Sequence, residues 1–376
     1  MQKREKQGNV PEKKQNAAVK HNGRENKHDI ILMSHGDGGL KSSELINTVI
    51  SKHIKNDILD RFEDSAVIRL PGKKLAFTTD SFVINPIFFP GGDIGKLSIC
   101  GTVNDLAASG AVPYFLSFSL ILEEGFPVKD LERIMKSVSD TINEINSSSL
   151  GIPKEKTHNS RLKIVTGDTK VVEKGSADKI YINTSGIGLI DEEVNISPAR
   201  IETGDIIIVS GTIGDHGIAV LSKRKEFDFK TALKSDCAPL SPLVAELIAV
   251  SKNIHAIRDA TRGGLARVLF ELALTSKHDF EISGGAIPVK RETRGICEFL
   301  GMDPLYVANE GKMVFFVSAE DTFSVLEAAR KDKYGKDACI IGKVTKKGSG
   351  RVILNTEIGT KRLLDLYYSE QLPRIC

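Results

Sequence analysis

No run of apolar residues in this sequence approaches the ~20 needed to cross a membrane as a helix, so no membrane span is predicted. Strong charge of one sign is also missing. Lys and Arg number 52 against 49 Asp and Glu, a net +3, a balance that argues against nucleic acid or an acidic membrane as the partner. Cysteine is sparse and poorly spaced for ligands. The five are Cys100, Cys237, Cys297, Cys339 and Cys376. An odd count without a CxxC pair argues against a disulfide framework or a zinc site, and the first four are expected to be small core residues. The basic stretch 1–28 lacks the apolar segment of a signal peptide. It has almost nothing to bury and is predicted to be a disordered extension. A soluble, cytoplasmic protein is the expectation. A Walker A loop is absent too: Gly91-Gly92-Asp93-Ile94-Gly95-Lys96 comes near, but the spacing fails and Leu97 stands where Ser or Thr is needed.

What is present suggests two domains. The chain has 376 residues, of which 40% are hydrophobic, enough for sizeable cores. Strands are predicted at 66–70, 74–79, 113–122, 162–165 (ending in Thr166-Gly167-Asp168) and 180–189. Helices are predicted at 41–53, 94–109 and 128–145, the last with Leu131, Ile134, Met135, Val138 and Ile142 on one face. A polar stretch with Pro198, 191–204, is the candidate linker between a domain at 29–190 and one at 205–365. In the second, strands are expected at 205–210, 280–282, 313–318 and 338–344, with helices at 242–251 and 264–275. The alternation lacks the strict rhythm of a doubly wound sheet, so two α+β domains are the simplest reading.

Several residues carry possible chemistry, each with a plainer alternative. Asp80 and Asp168 follow strands, and Asn104-Asp105 lies inside a helix opened by Gly101-Thr102. Such carboxylates beside glycines suit magnesium; turn-forming Asp and helix-capping Asn are the alternatives. The glycine segments 36–39 (with Gly38 and Gly39), 91–92 and 211–217 either let backbone N–H groups approach phosphate or make tight turns. Arg262, in Asp259-Ala260-Thr261-Arg262-Gly263-Gly264 ahead of a helix, faces an anion or belongs to an ordinary helix entry. Glu310, in Asn309-Glu310-Gly311-Lys312, is a general base or part of a hairpin turn. His35 and His216 sit in glycine loops and are either catalytic or bonded to backbone. The last residues, Gln371-Leu372-Pro373-Arg374-Ile375-Cys376, form a mobile tail (366–376) whose thiol can enter a cleft like a substrate on a short arm. Pro373 stiffens the arm, and Arg374 supplies a fork for phosphate or carboxylate.

Taken together, the segments 79–83, 88–96, 101–107, 122–127, 166–172, 211–217, 235–240, 308–312 and the terminal Pro373-Arg374-Ile375-Cys376 resemble the HypE family of hydrogenase maturation factors. The resemblance runs over nearly the whole chain from about Asp29 to Cys376. It places the sequence in a superfamily with aminoimidazole ribonucleotide synthetase, selenophosphate synthetase and thiamine monophosphate kinase. It implies an α+β, two-domain PurM-like architecture whose N-terminal sheet pairs across a homodimer and whose C-terminal α/β sandwich closes over a nucleotide. Asp37 departs from the family, where a small residue is commoner.

The activity implied is ATP-dependent dehydration. HypF places a carboxamide on the terminal sulfur; loss of water then gives a thiocyanate, the source of the cyanide ligand that nickel–iron hydrogenases receive through the HypC–HypD complex. Amide oxygen leaves poorly at neutral pH, and phosphorylation converts it into a good leaving group. The resemblance therefore implies ATP and magnesium as cofactors. Asp80, Asp105 and Asp168 are expected around the metal and nucleotide, with Asn104, Gly38, Gly39 and Arg262 assisting. Lys170, two residues past Asp168 and so on the same strand face, is expected to stabilise developing charge. Glu310 is the expected base. Cys376, with no reason to be unusually acidic, is expected to carry the substrate rather than to attack phosphate.

Overall fold

In a computed structural model of the chain the described residues are 39, 40, 43, 66–70, 73–148, 162–224, 230–365, 372 and 374–376. The unit Met1–Leu32, the predicted helix 41–53 apart from Ser43, and Gly38 lie outside them. Everything below belongs to the unit Met33–Cys376.

The first domain is a five-stranded sheet built from β1 (Ala66–Leu70), β2 (Lys73–Phe82), β5 (Val112–Glu123), β6 (Lys163–Val172) and β7 (Ile180–Ile190), in the order β1-β2-β7-β5-β6. Only β5 and β6 run parallel; the other neighbours are antiparallel. A small ribbon, β3 (Phe88–Phe89) with β4 (Gly92–Asp93), leads into α1 (Ile94–Ala108). Asp93 caps that helix, its Oδ1 accepting from the N–H groups of Gly95 (2.8 Å) and Lys96 (3.1 Å). Such a cap contributes about 1 kcal/mol. α1 is buried on nearly every side, as a mostly apolar helix at the centre of a core must be. One side lies on β2 and β7; the other meets the second domain. α2 (Val128–Ser147) packs beside it through Ile134, Val138, Thr141 and Ile145. Met135, expected on that face, is 38% exposed.

Alternation along β7 divides the sheet. Ile180, Ile182 and Thr184 point inward, while Asn183, Ser185 and Ile187 point outward. The outward face aligns Phe77, Ile187 and Phe115 across three strands. Together with Ile121 these are 37–43% exposed, and no described residue covers them.

The expected strand end at Asp168 is not there. β6 continues through Val172, held in parallel register by β5 as far as the Glu123–Val172 pair. Gly167 marks close interstrand approach rather than a turn: a Cβ there would sit 2.2 Å from the Phe118 carbonyl oxygen.

The second domain is a seven-stranded mixed sheet. Its strands are β8 (Ile206–Val209), β9 (Ile254–Asp259), β10 (His278–Ser283), β11 (Met313–Val317), β12 (Cys339–Lys347), β13 (Val352–Asn355) and β14 (Lys361–Leu364), ordered β14-β13-β10-β12-β8-β11-β9. β8 and β11 are almost wholly buried, and their unbroken apolar runs reflect helices on both sheet faces. α5 (Gly264–Ser276) covers one face with Leu265, Val268, Leu269 and Leu272. α4 (Ser241–Val250) and α7 (Thr322–Lys331) cover the other, where Ala107 and Ala108 of α1 join the same core. α3 (Asp215–Leu221) and α6 (Arg291–Leu300) complete the described helices longer than one turn. The connection 191–204 is firmly packed: Val194 and Ile201 are buried, and Lys74 Nζ donates to the Val194 carbonyl at 2.7 Å. Glu144 at the end of α2 accepts from Tyr334 and from Lys333 Nζ (2.8 Å), tying the domains at another edge.

Candidate active site

β2 presents Thr78 and Asp80, two residues apart, to the same inward face under α1. Thr102 and Asp105, one turn apart on α1, face them. Thr102 Oγ1 donates to Asp80 Oδ2 (3.1 Å), and Thr78 Oγ1 donates to Asp105 Oδ2 (2.9 Å). Asp105 lies close enough to Asp80 to act on its titration. Burial pushes the Asp80 pKa up; the Thr102 hydroxyl, the Arg262 charge and Asp105 oppose it. Two neighbouring carboxyl groups, each steadied by a threonine hydroxyl, form an oxygen donor set that a divalent cation fits.

From the second domain come Arg262 and Glu310. Arg262 precedes α5, where Gly263 and Gly264 take φ of +76° and +62°. At Gly264 a Cβ would fall 2.5 Å from the Leu305 carbonyl, so glycine is required for this entry. Arg262 lies near enough to both Asp80 and Glu310 to lower the pKa of each. Glu310 is 3% exposed. Its N–H donates to Asp236 Oδ1 (3.0 Å), while its Oε1 is buried with no hydrogen-bond partner. Burial drives its pKa well above the usual carboxylate range, with Cys237, Asp259 and Asp236 adding to the rise and Arg262 opposing it. A buried, unsatisfied carboxyl oxygen is costly and marks a position where a substrate donor fits. Lys312 Nζ approaches Asp236 Oδ2 at 3.3 Å.

The tail is seated between the domains. Leu372 and Ile375 are buried and Cys376 is half-buried. The chain past β2 receives it: Val83 N donates to the Cys376 carbonyl (3.3 Å) and Asn85 N to the Arg374 carbonyl (3.2 Å). Cys376 thus docks three residues beyond Asp80. It also packs against the core cluster containing Cys237 and Ala308, the latter two residues before Glu310. His216, left open between catalysis and backbone bonding, is a backbone donor: its Nε2 reaches the Ile375 carbonyl at 2.7 Å.

The structure therefore brings together Asp80, Asp105, Arg262 and Glu310 at the domain boundary, and docks Cys376 on Val83, three residues past Asp80. It does not bring three other expected residues there. Asn104 has both ends of its amide occupied, Nδ2 by the Ala238 carbonyl (3.0 Å) and Oδ1 by Leu240 N (2.7 Å); it fastens α1 to the second domain instead of facing a nucleotide. Asp168 and Lys170 lie in register with Ser119 and Ile121 on the outward face of the first sheet, opposite to Asp80. They pair with each other at 2.7 Å, and that pairing holds the Asp168 pKa low. The Gly39 carbonyl accepts from Ser43 N (3.0 Å). Missed in the sequence were Thr102, Asp236 and the tail's partners Arg224 and Asp178. Of these, Thr102 and Asp236 sat in segments already noticed.

Residues 62–190 match the AIR synthase related protein N-terminal domain, and 202–355 the corresponding C-terminal domain. The carbamoyl dehydratase HypE of Rhizobium leguminosarum bv. viciae is 44% identical over 347 residues, covering 92% of this chain and 95% of the relative. The chain belongs to the HypE family. A crystal structure of a HypE–HypF complex aligns with a TM-score of 0.78 at 46% identity, covering 86% of this chain and 99% of the other. A HypE in complex with ATP aligns at 0.74 with 41% identity, covering 92% and 100%. These HypE structures share the two-domain PurM-like α+β fold described above.

Proposed function

We propose that this protein is an ATP-dependent carbamoyl dehydratase of hydrogenase maturation that converts a carboxamide on its own Cys376 into a thiocyanate. The observation that carries the reading is the docking of Cys376 between the domains, on the chain just past the strand that bears Asp80. Family membership, with relatives named for this activity and solved with HypF and with ATP, supports it. The carbamoyl group comes from HypF, and the cyanide goes to the HypC–HypD complex.

The reaction balances as S-carboxamide plus ATP giving S-cyanide, ADP and phosphate. The amide oxygen takes the γ-phosphoryl group and departs with it, while nitrogen loses two protons as the triple bond forms. Asp80 and Asp105 are assigned to hold magnesium, which would neutralise phosphate charge. Arg262, near both Asp80 and Glu310, stabilises negative charge growing on the transferred group. Glu310 takes a proton from nitrogen; its raised proton affinity makes it a strong acceptor once ionised.

Asp168 and Lys170 are assigned to the assembled homodimer, formed through the apolar outward face of the first sheet. Ile187→Lys, at the centre of that face, is expected to turn a dimer into a monomer in sedimentation; an unchanged dimer contradicts this pairing. Asp80→Asn removes a charge from the metal niche. It should weaken magnesium-dependent ATP binding, measured by titration calorimetry, by more than the ~10–100-fold that losing a supporting residue costs a metal site. Binding equal to that of the unaltered protein removes Asp80 from the role.

The function itself is tested on the C-terminal peptide by mass spectrometry. After incubation with HypF, carbamoyl phosphate and ATP, the peptide should gain a carboxamide. Transfer to fresh magnesium and ATP should then remove the mass of one water. Turnover of a free small molecule with an unmodified peptide would contradict the reading.

A further inference from the structure

The docked tail is gripped from both domains by side chains that take no part in the chemistry above. His216 on α3 is fully buried, with its ring against the edge of Phe89 at 5.3 Å. Its two nitrogens have fixed roles. The Ile375 carbonyl can only accept, so Nε2 carries a hydrogen. Nδ1 meets Ser235 Oγ at 2.7 Å, and that oxygen already accepts from Cys237 N at 3.0 Å. Complete burial pushes the His216 pKa down and favours the neutral ring, in which Nδ1 accepts from the Ser235 hydroxyl. His216 is a donor locked in place and aimed at the tail. Arg224, just past α3, bridges two carbonyls: its Nε donates to Asn85 (3.1 Å) and its Nη2 to Arg374 (2.9 Å). From the first domain, Asp178 pairs with Arg374 Nη1 at 2.5 Å, while Arg374 Nε donates to the Val83 carbonyl at 3.1 Å. Arg374 holds a positive φ of 53°, a conformation uncommon outside glycine and sustained only while these contacts persist.

Resting on the carrier role proposed for Cys376, we infer that His216, Arg224 and Asp178 form a two-domain latch that positions the tail. Closed, it sets the sulfur in the cleft for dehydration; open, it releases the thiol to the carbamoyl donor. These are positioning residues, acting through the tail backbone and Arg374 rather than on the reacting atoms. Departure of the tail leaves the His216 Nε2–H buried without its acceptor, which biases the latch toward closure. Because α3 belongs to one domain and Asp178 to the other, relative domain movement and tail release are coupled.

The test uses the intact protein without nucleotide and follows alkylation by iodoacetamide, peptide by peptide, in mass spectra. His216→Phe keeps the ring volume and removes the donor; Asp178→Asn removes only the partly exposed ion pair and leaves the core untouched. Each is expected to raise the alkylation rate of Cys376 by about tenfold, the effect of shifting one closed–open equilibrium by one hydrogen-bonded contact, with Cys339 unchanged. In carbamoylated protein the single-turnover dehydration rate should fall, with the KM for ATP unaltered and carbamoylation by HypF undiminished. An unchanged Cys376 rate in both variants overturns the latch, as does an equal rise at Cys339, which would report general loosening. Alkylation does not depend on carbamoylation. A tail that is never carbamoylated while its alkylation responds as expected would therefore sink the carrier role and leave the latch standing.

Discussion

Cys376→Ala is expected to lose cyanide formation completely while keeping the fold and the affinity for magnesium–ATP. The side chain is half-buried at the edge of a core cluster, and the backbone contact from Val83 N to the Cys376 carbonyl does not need the sulfur. The stability change should be about 1 kcal/mol or less. Substrate-dependent ATP hydrolysis should vanish, because no carboxamide remains to accept the γ-phosphoryl group. The check is ATP turnover in the presence of HypF and carbamoyl phosphate, read beside a melting curve and an ATP titration. A variant that still delivered cyanide would place the carrier on another atom.

Glu310→Gln is expected to slow dehydration by about 10²–10⁴-fold, the range associated with a positioned general base, with carbamoylation by HypF intact. The same substitution separates activity from stability. The buried Glu310 carboxyl binds its proton more tightly in the folded chain than in the unfolded one, where a glutamate titrates near about 4.3. As pH rises above that value the unfolded chain releases the proton first, so it binds fewer protons and stability falls with pH. The contribution is fully present below the unfolded pKa and is lost up to the raised folded pKa. Glu310→Gln should remove this slope, so that the stability of the unaltered protein relative to the variant declines as pH rises above about 4.3. Denaturant melts across that range check the sign; a flat difference contradicts the raised pKa. The dehydration rate runs the other way, rising with pH as Glu310 ionises.

Much of the fold was legible because its local signals were strong. The apolar runs of β8 and β11, the mostly apolar α1 and the alternating β7 dictate buried strands, a central helix and a half-covered sheet. α6 and α7 were not read: their apolar faces are short and interrupted by charge, as in Arg291–Leu300. β6 was cut short because Gly167 looked like a turn residue, and only the neighbouring Phe118 carbonyl shows why glycine is there. The site divides in the same way. Asp80, Asp105, Arg262 and Glu310 sit in recognisable segments and converge. Asn104 sits in one as well, yet the second domain's backbone takes its amide, and the opposite face claims Asp168 and Lys170. Nothing local to His216, Arg224 or Asp178 announces that a tail some hundred and fifty residues or more away will dock on them.

The account stands most directly on where the carboxamide lies when the nucleotide is bound. A crystal structure of the carbamoylated protein with magnesium and a non-hydrolysable ATP analogue would show it. The amide oxygen should lie at near-attack distance from the γ-phosphorus, about 3–3.5 Å, with a Glu310 oxygen within hydrogen-bond reach of the amide nitrogen. A γ-phosphate remote from the docked tail, with Glu310 turned away from the amide, would contradict it.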